Sequence, residues 1–349
     1  MRATTQGLRW LRTTAYNALA IGLGIIAGLL VVAYAGGNLG VALSSLFLNP
    51  ITLSGGIQQI FVRFILFYTM GLGVGLALKA GLWNIGAQGQ LLAGMVMVFV
   101  VYTFMAFLPW PVLYVTMILG AALGGLLWIA VPTILRVRFG ANEIVVTILL
   151  NVVAINFAFY MLSGPIKSAG TALGFPHSVE LPAQFKIPDI ISGVPMTYAV
   201  PATVALGIVL YLLVERTPFR VKADTVGESA ETARYAGISI PRVMAITMLA
   251  AGALAGLAGA TYLMGYRYEL DIGSFSTNYG LVAIICALVG RKHMLGIGLA
   301  SFFFAYMTMG AESMALSANV PTYVVFAMEG IMMLGILLGN YLTERRYAV

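Results

Sequence analysis

This chain of 349 residues is 60% apolar and only 9% charged, with a formal net charge of +7. A soluble globular chain carries about 25% charged residues, so composition argues against a soluble enzyme and for an all-α, polytopic membrane bundle. The positive balance does not mark a nucleic-acid binder, because its Lys and Arg residues follow the membrane topology instead.

A hydrocarbon core about 30 Å thick needs roughly 20 apolar residues per crossing helix. Window reading predicts ten spans, near 16–36, 57–78, 85–107, 112–134, 143–163, 195–214, 243–265, 278–290, 295–313 and 321–342. With a cytoplasmic N-terminus, the inside segments hold Arg2, Arg9, Arg12, Lys79, Arg136, Arg138, Arg216, Arg220, Lys222, Arg234, Arg242, Arg291, Lys292, Arg345 and Arg346. The outside segments hold only Lys167, Lys186 and Arg267. That asymmetry places both termini in the cytoplasm. The first apolar run, though followed by "AYA" at 33–35, is longer than the 7–15 residues usual in a signal peptide and reads as a span. Ten spans divide into five plus five, which predicts inverted halves. Each half carries one Gly-rich polar break, "GLWNIGAQGQ" and "DIGSFSTNYG".

The first break sits between two apolar runs and brings Asn84, Gln88 and Gln90 together with Gly86 and Gly89. Interrupted helices at membrane depth occur where they are buried in protein or border a wet cavity. Two readings therefore fit. The amides line a path for a neutral, hydrogen-bonding solute, since Asn and Gln both donate and accept, and the glycines permit close backbone approach. Alternatively, the amides brace the third span against its neighbours.

Farther along, Arg63 in the second span either snorkels to the outer surface or pairs with Glu329 in the tenth. Asn151 and Asn156 lie on the fifth span, where bracing competes with solute contact, and Glu143 opens that span. Gly71/Gly75, Gly120/Gly124 and Gly252/Gly256, each four apart, predict close helix packing within the chain or between subunits. The longest outside loop, 164–194, is Pro-rich and either caps the outer mouth or receives an external protein.

The cytoplasmic loop 215–242 is too polar to insert. Its "ESAETARYAG" predicts a short helix closed by Gly237, with Ala230, Ala233 and Ala236 on one small-residue face and Glu231 spaced to pair with Arg234. It is either a docking element or a solvated connector. Cys286 is alone, and His177 and His293 are far apart, so neither a disulfide nor a metal site is expected. There is no GxxxxGK[ST] phosphate loop, no nucleophile–base constellation, and no conspicuous set of intramembrane carboxylates for ion coupling. Any energy for uphill transport is expected from another subunit.

"AGLWNIGAQGQLLAG", "RFGANEIVVTILLN", "ETARYAGISIPR", "AGALAGLAGA" and "NYGLVAIICALVG" follow one another as they do in permease subunits of ABC importers. Over roughly 55–340 the chain resembles the simple-sugar/nucleoside branch, part of the ribose/branched-chain amino acid type permease superfamily, and the nucleoside-type permeases most. The resemblance implies a non-enzymatic, substrate-translocating subunit in the bacterial cytoplasmic (inner) membrane. It also implies a second homologous permease, a cytoplasmic ABC ATPase, often double-length, that binds the ATP and magnesium, and an external substrate-binding (lipo)protein. No cofactor is implied for this chain. The stretch containing Glu228, Glu231, Ala233, Arg234, Tyr235 and Gly237 looks like the family's coupling segment, which docks on the ATPase. One departure stands out: the family motif often reads N-I-G-x-E-G-Q, and Gln88 replaces the Glu here. Simple sugars are the alternative solutes, and an ion-coupled carrier is the rival from another class.

Overall fold

The computed structural model describes residues 2–168, 176–191, 194–275, 278–318 and scattered positions between 324 and 342. In chain order the helices are α1 (Arg2–Tyr34), α2 (Leu39–Phe47), α3 (Asn49–Thr52), α4 (Gly56–Lys79), α5 (Ala87–Phe104), α6 (Trp110–Phe139), α7 (Glu143–Ser163), α8 (Ala199–Leu210), α9 (Phe219–Glu228), α10 (Ala230–Tyr235), α11 (Ile240–Tyr262), α12 (Tyr279–Val289) and α13 (Met294–Ser317). One-turn π segments extend α8 over Tyr211–Glu215 and α11 over Leu263–Arg267. A hairpin of β1 (Asp189–Ile191) and β2 (Val194–Thr197) precedes α8.

Among the described residues, seven helical segments are long and apolar enough to cross a bilayer, or eight if α8 and the bent α9 form one span. They overlap the residues read as the second to ninth spans, and α7 runs over the same residues as the fifth. The first prediction overlaps α1 and runs two residues past its end at Tyr34. Part of the tenth, including Glu329, lies outside the described residues.

The chain divides into two compact units, Met1–Ile60 with Phe303–Val349, and Phe61–Phe302. In the first unit, Gly24 and Gly28 of α1 face Met332 and Met328, while Gly335 and Gly339 face Ala20 and Tyr16. These pairings run antiparallel at three- or four-residue steps, with glycine supplying the gap on one side each time. Sequence reading did not foresee α2 and α3. Asn38 caps α2 by accepting from the Gly40 and Val41 N–H groups at 2.8 and 3.2 Å. At nine residues α2 is about 14 Å long, too short to cross, and Asn49–Pro50 breaks the run that follows. It lies against α13, where a Cβ on Gly310 would meet the Leu46 carbonyl oxygen at 2.1 Å.

The second unit is built around α5, α6 and α11, which meet backbone to backbone. A Cβ on Gly125 would lie 2.1 Å from the Gly252 oxygen, one on Gly256 2.1 Å from the Ala121 oxygen, and one on Gly94 2.5 Å from the Gly256 Cα. Close packing within the chain is thus the role of Gly252/Gly256, and Gly124 fits over the Ala93 oxygen in the same way. Gly71 and Gly75 receive the Ile297 side chain. Tyr68 of α4 occupies two such gaps. A Cβ on Gly207 of α8 would sit 1.9 Å from its hydroxyl oxygen, and one on Gly298 of α13 2.9 Å from its ring. α4 is the innermost helix, with 94% of its most apolar window buried, against 17% for α7. The broad outer face of α7 is therefore exposed.

The segment after residue 176 clasps the chain beyond α11. The Ser178, Leu181 and Ile187 N–H groups donate to the Leu270, Tyr268 and Met264 oxygens at 2.9, 2.8 and 2.7 Å. Lys186 lies 4.2 Å over the Tyr268 ring and pairs with Glu180 at 2.6 Å. Asp271 pairs with Arg267. Burial alone would raise the Asp271 pKa, but hydrogen bonds from Ser274 and Arg267, with the Arg267 charge, hold it below its ordinary value.

Candidate functional site

A helix leaves its first four N–H groups unpaired, and at membrane depth each orphan costs several kcal/mol. α5 begins inside the protein behind Gly86, which has no side chain to cap it. The cap comes from α7: Asn151 Oδ1 accepts from the Gly89 N–H at 2.9 Å, and Asn151 Nδ2 donates to the Ile85 oxygen at 3.0 Å. Asn84 and Gln90 close a reciprocal amide pair, Nδ2 to Oε1 at 2.9 Å and Nε2 to Oδ1 at 2.8 Å. Asn84 Oδ1 also accepts from the Gly86 N–H at 3.1 Å. Both side chains are buried at 1% exposure, so this pair braces the junction. Gly86 and Gly89 allow the close approach expected of them, since a Cβ on either would come within 2.9 Å of Thr147 Cβ or Asn151 Oδ1.

Gln88 does something the sequence did not disclose. Its Oε1 accepts from the Gly280 N–H at 3.1 Å, across 192 positions. Gly280 lies in the first turn of α12, where the residue before the helix offers no side-chain cap. The first polar break thus caps the helix that follows the second. Asn84→Leu should strand the Gln90 amide and the Gly86 N–H and lower stability by about 1–3 kcal/mol per orphaned group. Adding Gln90→Leu should recover part of that loss. Thermal unfolding of the purified single and double variants measures the coupling, and strict additivity would mean the pair contributes no interaction.

The remaining candidates are placed differently. Arg63 is buried on α4, and its expected partner Glu329 lies outside the described residues. Asn156 stands on the exposed face of α7, with its Nδ2 donating to the Val152 oxygen at 2.8 Å. Glu143 is buried and pairs with Arg136 at 3.3 Å, while Asn142 caps α7.

The second part of the site is the segment 215–242. The chain bends by 74° between α8 with its π turn and α9. An ion network holds the bend: Lys79 Nζ lies 3.1 Å from Glu215 and 3.8 Å from Asp224, and Arg220 Nε lies 3.4 and 3.5 Å from the same two carboxylates. The side chains of Lys79 and Glu215 are 6% and 2% exposed. Lys79, read from sequence as a flanking charge, is therefore an internal anchor. Beside it, a Cβ on Gly227 would lie 2.2 Å from the Lys79 oxygen. Gly81 supplies the left-handed turn, φ +74°, that leads from α4 to Asn84.

Ser229 caps α10 through the Thr232 N–H at 3.2 Å, and Gly237 ends it at φ +70°, as predicted. The three-alanine face does not form as one surface. Ala233 alone turns inward, into a cluster with Ala77, Ala80, Leu82, Ala223, Val226 and Val243, while Ala230 and Ala236 are exposed. A helix of six residues is too short to carry a continuous stripe against the bundle. Glu231 and Arg234 form no ion pair among the described residues. Glu228, Glu231, Arg234, Gly237 and above all Tyr235, 86% exposed, present the outward surface. An exposed face is thus tied through Lys79–Gly81 to the amide junction three residues beyond.

Residues 56–337 match the family described as branched-chain amino acid transport system / permease component. The chain is 31% identical to the glucose ABC transporter permease protein TsgB13 of Haloferax volcanii, over 87% of this chain and 82% of that one. It is 30% identical to the guanosine ABC transporter permease protein NupP of Bacillus subtilis, over 90% of each. It is 26% identical to the nucleoside ABC transporter permease protein NupB of Lactococcus lactis, over 73% of this chain and 71% of that one.

Proposed function

Because the chain belongs to the family of branched-chain amino acid transport system permease components, we propose that it is the membrane subunit of an ATP-driven importer for nucleosides. Simple sugars are the second reading, favoured by the similarity to a glucose permease. The names of these relatives share one chemistry, a neutral solute bearing several hydroxyl groups, which amide side chains recognise by donating and accepting at once. The chain acts with a second permease, a cytoplasmic ATPase that binds the ATP and magnesium, and an external binding protein, in the cytoplasmic membrane. It contributes no covalent chemistry.

The observation that carries the reading is the mechanical continuity from α10 through Lys79 and Gly81 to the amide junction. The outward surface of Glu228, Glu231 and Tyr235 docks on the ATPase. Motion there is passed by the buried network to the start of α5, and by Gln88 to the start of α12. Asn84 and Gln90 hold these ends, while Gln88 and Asn156 border the path. The exposed face of α7 that carries Asn156 meets the second permease, because a lone amide is poorly placed against hydrocarbon.

The test is reconstitution in liposomes of the permease pair, ATPase and binding protein, with uptake of labelled guanosine and glucose followed in parallel. Guanosine should accumulate only when all components and ATP are present. Accumulation by this chain alone would overturn the importer reading, and uptake of glucose without guanosine would move the assignment to sugars. In the same system Gly237→Val should reduce uptake several-fold while ATP hydrolysis continues, since a β-branched residue resists the left-handed conformation at that position. Unchanged transport would remove α10 from the coupling route.

A further inference from the structure

A cavity of about 530 Å³ opens where α6 ends and α11 begins. Arg136, Val137 and Gly140 line one side, and Arg234, Ile238, Ser239, Ile240, Pro241 and Met244 the other. Its walls are mainly half-buried apolar side chains, with two guanidinium groups among them. Arg136 is already paired with Glu143 at 3.3 Å and donates to the Ala141 oxygen at 3.4 Å. Arg234 is exposed and forms no ion pair among the described residues, so the cavity carries an uncompensated positive charge. The Lys/Arg asymmetry puts it at the cytoplasmic membrane surface. The flanking turns of both helices carry Ile134, Phe139 and Ile246, which are 50%, 74% and 53% exposed, as a lipid-facing surface requires.

We infer that this cavity is a binding site for the phosphate headgroup of an anionic phospholipid. The Arg234 guanidinium is suited to phosphate, which it contacts by paired N–H donors, while Arg136 stays committed to Glu143 and lends its remaining N–H groups. Val137, Ile238 and Met244 receive the glycerol and the first methylenes of the acyl chains. Continuity with the lipid-facing helix surface favours a lipid over a soluble phosphate or an acidic side chain of the ATPase. Because α10 provides Arg234 and α6 provides Arg136, a bound headgroup pins the outward segment to the bundle. The site does not depend on which solute is carried.

The test is native mass spectrometry of the intact purified permease, titrated with phosphatidylglycerol and, separately, with phosphatidylcholine. Phosphatidylglycerol should bind about fivefold more tightly, the preference expected of one uncompensated arginine at a membrane surface. Arg234→Gln should abolish the preference, and Met244→Trp should weaken both lipids by filling the cavity without changing its charge. Both leave the Arg136–Glu143 pair intact, so folding is preserved and can be checked by unfolding temperature. Equal affinity of the two lipids, or preference retained in Arg234→Gln, would overturn the site. Displacement of phosphatidylglycerol by inorganic phosphate at like concentrations would assign the cavity to a soluble anion, and displacement by the purified ATPase to a protein carboxylate. Either result would overturn the lipid assignment.

Discussion

Lys79→Met should destabilise the protein by about 3–5 kcal/mol, the usual result of removing one partner from a buried ion pair. Glu215, 2% exposed, would be left among the described residues with Arg220 at 3.4 Å, and that side chain is itself half exposed. The loss should be asymmetric. Exchanging both members for apolar residues, Lys79→Met with Glu215→Leu, should recover most of the stability, because a matched apolar pair removes the desolvation cost on both sides. Function should not recover with it. The pair also fixes the direction of α9, and an apolar contact sets no such direction, so uptake per ATP hydrolysed should remain low in the double variant. Thermal unfolding and coupled uptake, measured on the same preparations, separate these two effects. A single variant as stable as the parent would show that the pair does not anchor the bend.

Gly256→Leu should prevent the second unit from assembling. The first side-chain carbon alone would lie 2.1 Å from the Ala121 carbonyl oxygen and 3.0 Å from the Gly125 nitrogen. Those atoms are backbone in a neighbouring helix and cannot rotate away, so α6 and α11 would have to separate. Ordinary overpacking costs about 1–3 kcal/mol because side chains yield; here the cost should exceed that range, and even Gly256→Ala should be severe. Gly22, where an added methyl group would meet nothing within 4 Å, is the control, and Gly22→Ala should be neutral or slightly stabilising. The yield of monodisperse protein after detergent extraction reports the outcome. Normal yield for Gly256→Leu would mean that α6 and α11 can part without loss of the three-helix core.

Most of the crossing helices were legible because their signal is local and cumulative. Twenty apolar residues in a row are read without knowing what they touch, and the α7 bounds followed from that alone. The turn at Gly237 was legible for a similar reason, since glycine after a short helical stretch has a local conformational cause. What stayed hidden depends on partners distant in sequence. Nothing near Gln88 announces Gly280, and nothing near Glu215 announces Lys79. Periodicity has no access to such pairs, so Lys79 reads as one more flanking charge. The amides at 84–90 suggested both a path and a brace, and geometry makes the brace concrete for Asn84, Gln90 and Asn151. The short α2 escaped because its apolar run is below crossing length, and its place is set by packing on α13.

Tyr68 shows how such packing constrains later change. Its phenol ring fills gaps left by Gly207 and Gly298 on two other helices, so the three positions form one volume shared among distant stretches of the chain. A methyl added at 207 is tolerable only in a lineage that has already shortened the side chain at 68. Across related sequences these sites should therefore drift together, large for small, and a swap between homologues that exchanges α4 without α8 and α13 should import a clash.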